Sequence, residues 1–431
     1  MAKTDQCLKQ GTVASVHYIV TTDKLFKFAF QHRQINMNHL ISFNTYLAGR
    51  SISVTAIFSI IVLTLILKSS VLYGQEYAIG ADLSFLKNAE DKGFHFKEND
   101  TVKPGLLIFR EHGYNWIRLR LFHTPSDLPN NLNYTLTLAK KAKENGFKFL
   151  LDYHFSDTWA DPAKQFTPSA WTGMSHNQLV KAVFEYARET IKAFREAGAM
   201  PEMVQIGNEV INGMMWPDGK IPSNWDNFAD LIKAGINGVN AGCDSMNRPK
   251  IMIHIDQGGN RNKTKYFFDK LLSYGIDFDF IGQSYYPWWH GSLLDLRSNM
   301  IFMAETYKKP IILVEVAYCS SPTEYKGKPA PFEESPEGQK EFLEEVNRIV
   351  MNTPGNLGAG IFWWEPATMG GRSTRDFFDE NGNVLPVITV FDKFYTTLKE
   401  RWGERENGRF GFSPLLYLTS TVFRSILSST L

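Results

Sequence analysis

The chain is 431 residues long and carries a formal net charge of +1, so it has no basic field of the kind that draws nucleic acid. Its hydrophobic fraction of 43% supports a sizeable core, and its aromatic fraction of 14% is richer than a core of this size requires. Surplus aromatic faces suit a cleft for sugars, whose pyranose rings present apolar faces of their own. There is no Gly-rich phosphate loop, and Cys7, Cys243 and Cys319 form neither a CxxC pair nor a zinc-spaced cluster, which removes the common nucleotide and zinc readings. Cys243 and Cys319 either pair in an oxidising compartment or stay as two buried thiols.

Residues 1–52 are basic and show no sustained period, which predicts an extension without regular structure. The apolar run from Ser53 to Leu67 carries no charge until Lys68 and is preceded by Arg50. Its length lies between a signal h-region and a short membrane span. Residues 53–74 are therefore read as a signal peptide or an uncleaved N-terminal anchor, with a buried core helix as the alternative. Met37 is a sensible upstream start for such a segment. The chain is expected to be exported, to touch a membrane only through that anchor, and to act as a monomer.

From about Gln75 the pattern turns regular. Short apolar, β-rich runs cover Tyr77–Phe85, Trp116–Phe122, Lys148–Phe155, Met203–Glu209, Lys250–Asp256, Phe278–Tyr286, Pro310–Ala317 and Gly358–Glu365. Helical patterns fall between them at Asn133–Asn145, Asn177–Ala197, Trp225–Asn240, Lys263–Ser273, Leu293–Tyr307 and Ser335–Val350. Continuous apolar strands of this type are buried on both faces, as in a parallel sheet. Eight strand–helix units predict a closed (β/α)8 TIM barrel, an α/β fold, as one catalytic domain over residues 75–403. Residues 404–431 are a tail of unassigned structure, too short and interrupted to span a bilayer.

Polar residues collect where these strands end. The first ends in Asp82, the second in Arg118 and Arg120, and the third in Asp152, His154 and Asp157. Asn208 and Glu209 close the fourth, and His254 and Asp256 the fifth. Gln283, Tyr285 and Tyr286 close the sixth, Glu315 the seventh, and Trp363, Trp364 and Glu365 the eighth. The C-terminal face of such a barrel is where its active site is built. A carboxylate ending an apolar strand sits at the rim of a low-dielectric core, which is costly unless partners or function offset it. Glu209 and Glu315, from strands four and seven, are expected to face each other across the mouth. A retaining glycosidase needs such a pair, one member as nucleophile and one as acid/base. Gly207 allows close backbone approach before Glu209, and Asn208 can orient a substrate hydroxyl. Arg118 and Arg120 alternate along their strand, so one is expected to face the barrel interior and hold the nucleophile ionised, the other to face the helices; spacing does not say which. Glu365, followed by Pro366, is expected to fix a loop.

These residues resemble a known family. Asp152-Tyr-His-Phe-Ser-Asp-Thr-Trp-Ala-Asp-Pro162, Ile206-Gly-Asn-Glu-Val-Ile-Asn-Gly-Met-Met-Trp-Pro217, Ile251-Met-Ile-His-Ile-Asp256, Ser284-Tyr-Tyr-Pro287, Val314-Glu315 and Phe362-Trp-Trp-Glu-Pro-Ala367 are similar to glycoside hydrolase family 53, the arabinogalactan endo-β-1,4-galactanases. The resemblance runs from about Tyr77 to Phe394. It implies endo-hydrolysis of β-1,4-galactosidic bonds in galactan or type I arabinogalactan, with retention and without a cofactor. It makes Glu209 the acid/base, Glu315 the nucleophile and Trp364 the floor of the cleaved sugar's subsite. Asp82, Arg118, Arg120, His154, Asn208, His254, Asp256 and Tyr285 are expected to bind substrate beside Trp364. Phe122-His123 departs from the family's usual Trp-Val. Tyr318 to Glu334 has few carboxylates at suitable spacing, so neither calcium nor another metal is expected. Other retaining barrel glycosidases acting on mannan, xylan or glucan share the opposed glutamates, and a carbohydrate-binding protein with a dead site is the reading from another class.

Overall fold

The computed structural model describes residues 76–392, except 245–246, 323–324, 326 and 370–372. The basic extension, the apolar run, Cys7 and the tail from 404 all lie outside the described residues.

Eight parallel strands close into a barrel in sequential order. They are β1 (Ala78–Asp82), β2 (Trp116–Leu121), β3 (Lys148–Tyr153), β4 (Met203–Ile206), β5 (Lys250–Ile255), β6 (Phe280–Tyr285), β7 (Ile311–Val316) and β8 (Gly358–Trp363). Each lies inside a run expected from sequence. The helices are α1 (Leu86–Asp91), α2 (Gly105–Glu111), α3 (Leu132–Glu144), α4 (His176–Glu196), α5 (Trp225–Gly242), α6 (Arg261–Ser273), α7 (Leu293–Tyr307) and α8 (Pro336–Met351). The six expected helices are present with ends within two residues. The two unexpected ones, α1 and α2, have six and seven residues, too few turns to print a 3.6-residue period on the sequence.

Helix starts follow local chemistry. Asn131 accepts a hydrogen bond from Tyr134 N before α3, Ser175 and Gln178 form a capping box on α4, and Ser335 caps α8 with Pro336 at its first position. The outer core is a continuous apolar layer between strands and helices, including Ile117, Leu119, Phe149, Leu151, Ile251 and Ile253. A second cluster fills the lower barrel interior, including Trp116, Leu150, Met203, Met252, Phe280 and Phe362. Gly80 makes room for it: a Cβ there would lie 2.3 Å from the Phe362 ring.

One irregularity positions the chemistry. Gln283 pairs with Leu313 but Ser284 pairs with Glu315, so β7 holds one extra residue at Val314. Ile312 and Val314 fill the barrel interior, whereas Leu313 and Val316 pack in the outer layer. Strict alternation would turn Glu315 outward and Val316 inward; the bulge reverses both. No described helix is long and apolar enough to cross a membrane. Cys243 and Cys319 are not joined to each other: Cys243 Sγ donates to Asn240 O, and Cys319 Sγ accepts from Thr374 Oγ1.

Candidate active site

The period of two along each strand puts every second residue on the inward face. Above the apolar plug, those positions hold Asp82, Arg118, Arg120, Asp152, His154, Gln205, His254 and Ser284, each at most 2% exposed. Arg118 and Arg120 are two residues apart, so they share a face. This corrects the expectation that one turns toward the helices.

Arg118 is the hub. Its Nη1 lies 2.9 Å from Asp82 Oδ2 and 2.8 Å from Glu315 Oε1, and its Nη2 lies 2.8 Å from Asp152 Oδ2. The same Nη2 donates to Asn208 Oδ1 at 2.8 Å. Burial opposes its charge, but Asp152, Glu315 and Asp82 together hold it firmly protonated. Asp152 stays ionised below the usual carboxylate range, because Arg118 and His154 outweigh its burial. His154 is held neutral by burial, with Nε2 at 3.0 Å from Asp152 and Nδ1 accepting from Ala160 N. His154 therefore orients Asp152 and the loop after β3.

Glu315 also accepts a hydrogen bond from Tyr286 Oη at 2.9 Å. Burial raises its carboxyl to about 7, with Arg118 and then Tyr286 pulling the other way. The expectation that an arginine keeps Glu315 ionised is thus met only in direction: Arg118 lowers the value, and burial outweighs it.

Glu209 follows β4 in a left-handed conformation (φ 46°) that a non-glycine residue adopts only under constraint. Gly207, at φ +80° and with Val210 Cγ1 2.6 Å from where its Cβ would stand, permits the turn. Glu209 Oε1 accepts from Ser284 Oγ at 2.6 Å, and Ser284 Oγ lies 2.8 Å from His254 Nε2. Burial keeps His254 neutral. One proton on Nε2 then donates to Ser284, which donates to Glu209. Burial pushes Glu209 well above the usual range, and the charges of Glu315 and Asp256 push it further. Of the two glutamates, Glu209 is the one that keeps its proton. Asp256 is itself raised by burial and is tied to Gln257 Nε2 at 3.0 Å. Asn208 is fixed on the other side by donation to Ala160 O.

The walls are aromatic. Trp364 is half-buried, edge-on to Trp159 and Tyr286 at 6.2 Å each, with the Arg375 guanidinium 4.5 Å from its ring. Arg120 is sandwiched between Phe85 (4.6 Å) and Trp159 (4.4 Å) and bonds Glu365 at 2.6 Å. Glu365 thereby fixes the start of the loop after β8, as expected. Tyr285 is a correction. It lies outside the inward set, its ring stacks on Phe342 at 6.2 Å, and its hydroxyl donates to Gly291 O. The inward tyrosine is Tyr286.

The site also takes in Gln205, Ser284 and, in place of Tyr285, Tyr286. The first two are uncharged and carry no signal except their parity with Met203 and Phe280. Tyr286 differs from Tyr285 only by that parity.

Glu209, His254 and Glu315 each bring a possible ligand atom within 4.8 Å of the others. Both nitrogens of His254 and both oxygens of Glu315 already serve the hydrogen-bond and ion-pair network, which suits proton transfer better than a cation. A cavity of about 1050 Å³ opens at the opposite end of the barrel beside Trp116 and Phe280. Its carboxylates Glu76, Glu202, Asp244 and Asp279 are each paired with a lysine or arginine, so it holds no chemistry comparable to the mouth.

Residues 78–391 match the family model described as Glycosyl hydrolase family 53. The chain is 35% identical over 331 residues to the arabinogalactan endo-β-1,4-galactanase A of Aspergillus niger, covering 73% of this chain and 93% of that one. A solved fungal β-1,4-galactanase superposes with a TM-score of 0.69 at 33% identity, over 73% of this chain and 99% of its own. The family 53 catalytic domain of Ignisphaera aggregans gives 0.68 at 32% identity, over 74% and 97%.

Proposed function

The chain belongs to glycosyl hydrolase family 53, and from that premise we propose that it is a retaining endo-β-1,4-galactanase working on galactan and type I arabinogalactan by double displacement. The observation that carries this is the opposed pair, with one oxygen of Glu209 and one of Glu315 within 4.8 Å. Retaining enzymes hold their carboxyl groups ~5–5.5 Å apart, whereas inverting ones leave ~6.5–9.5 Å for a water.

The roles follow from the surroundings. Glu315, between Arg118 and the Tyr286 hydroxyl, is the member whose anion is stabilised. It attacks the anomeric carbon and forms the glycosyl–enzyme bond. Glu209, protonated, gives its proton to the departing glycosidic oxygen, then takes one from the water that releases the sugar. Ser284 and His254 hold its carboxyl in place. Trp364 and Trp159 offer apolar walls to the sugar.

Digestion of potato-type galactan, mannan and xylan tests the reading, with the first-formed anomer followed by NMR. Galactan should be cut internally and the β-anomer should appear first. Preference for mannan or xylan, or α-anomer first, would overturn it. We also propose that the protein is exported through residues 53–74 and acts as a monomer. The uncharged run after Arg50 supports the first. The second is supported by one barrel supplying both glutamates and the groups that hold them. Mass analysis of the mature N-terminus and light scattering test these.

A further inference from the structure

Trp289 is 50% exposed, yet its backbone is tightly held. Its N–H donates to Tyr286 O at 3.1 Å, and the next residue, His290, returns Nδ1 to Tyr286 N at 3.1 Å. Tyr285 pins the far end of this loop at Gly291 O. Gly259 from the loop after β5 packs so closely that a Cβ there would lie 1.9 Å from His290 O. The preceding residue, Trp288, is 2% exposed and stacks on Tyr318 at 5.6 Å, so the pair cannot roll to bury Trp289 instead. A large exposed indole on a loop this firmly braced is a preformed surface.

Its position is set by the nucleophile's own partner. Tyr286 bonds Glu315, and the Trp289 ring lies edge-on to Tyr286 at 5.8 Å. Trp364 touches Tyr286 too, at 6.2 Å. Trp289 therefore continues the aromatic wall outward, about one ring's width beyond the residues that touch Glu315.

We propose that Trp289 is a galactosyl platform at a subsite beyond the sugars flanking the cleaved bond, so that the enzyme grips its polymer by more than the scissile pair. This rests on the galactanase reading above. The test has two arms. In the first, the intact chain is assayed on galactan, which decides that reading by itself. In the second, E315Q and E315Q/W289A are titrated calorimetrically with β-1,4-galacto-oligosaccharides of increasing length. E315Q should gain affinity with each added unit. E315Q/W289A should match it on the disaccharide but lose one step of about tenfold on longer chains. Trp289→Phe, which keeps a ring, should recover part of that step. In the active chain, Trp289→Ala should lower kcat/KM on galactan about tenfold and lengthen the products. If galactan is cleaved and both inactive variants bind every length equally, Trp289 is not a platform. If galactan is not cleaved, the galactanase reading falls and the platform with it.

Discussion

Replacing Tyr286 by Phe removes a single hydroxyl, and its consequence for pH can be worked through. That hydroxyl donates to the buried Glu315 carboxylate at 2.9 Å, and burial keeps the phenol protonated far above neutrality, so it is a donor throughout the working range. It favours the ionised carboxyl and lowers its pKa; deleting it must raise that value above the present figure of about 7. A hydrogen bond to a charged group contributes ~1.5–3 kcal/mol, and one pKa unit corresponds to about 1.4 kcal/mol. Arg118 remains to stabilise the anion, so the lower figure applies, about one unit. Turnover needs Glu315 ionised, and ionisation increases with pH, so the acidic limb of kcat/KM should move up by about one unit. The basic limb, which reports the proton on Glu209, should move less, although a pair this close titrates as a unit. The assay is a kcat/KM–pH profile on galactan for both proteins at constant ionic strength, with circular dichroism to confirm folding. An acidic limb that stays in place or moves down would refute the assignment of Tyr286 and, with it, of Glu315 as the group that must be ionised.

Glu315→Gln should abolish galactan turnover by several orders of magnitude while melting stays near that of the parent, since a covalent step is lost and little volume changes; residual activity within about tenfold would end its claim as nucleophile. Glu209→Ala should slow galactan hydrolysis severely yet spare aryl galactosides in the first step, and azide should restore the second step and give the β-galactosyl azide. An α-azide formed instead by a Glu315 variant, with no leaving-group dependence at Glu209, would reverse the roles. Trp364→Ala should cost turnover more than stability, because the ring is only half-buried; a large fall in Tm with full activity in the surviving protein would place it in the core instead. Tyr285→Phe should do the opposite of Tyr286→Phe, lowering stability by about 0.5–1.5 kcal/mol with an unshifted pH profile, as read by denaturant melts and the same assay.

The barrel was legible because its strands are apolar on both faces and bounded by polar residues; Ile311-Ile-Leu-Val and Phe149-Leu-Leu announce themselves. Long helices were legible for the same reason of period, and α1 and α2 were not because six or seven residues hold too few turns. The two glutamates stood out as charges ending apolar runs. What the sequence hid was which way side chains turn near the mouth. Arg118 and Arg120, two residues apart on one strand, share a face by parity alone. Tyr285 and Tyr286 could be separated only by counting from Phe280. Gln205 and Ser284 pass unnoticed in a sequence because neutral polar residues inside a strand look like ordinary surface positions. Their value lies in bonds to Asp152, Asn208, His254 and Glu209, which exist only after the barrel closes.

The extra residue in β7 makes the register of that strand a determinant of activity separate from its composition. Apolar substitutions at Ile311, Ile312 or Leu313 that respect volume should cost packing energy and leave the glutamate where it is. Pairing β7 without its bulge, at the same residue count, would carry Glu315 to the helix side and bring Val316 into the mouth, in a barrel that still has eight strands to close; deleting Val314 would instead leave Glu315 inward opposite Ser284 and take one apolar side chain out of the interior. A redesign that pairs β7 flat against β6, residue for residue, would therefore keep the fold and discard the catalyst. Designs that borrow this barrel need to copy the register shift between β6 and β7 as faithfully as the glutamate itself.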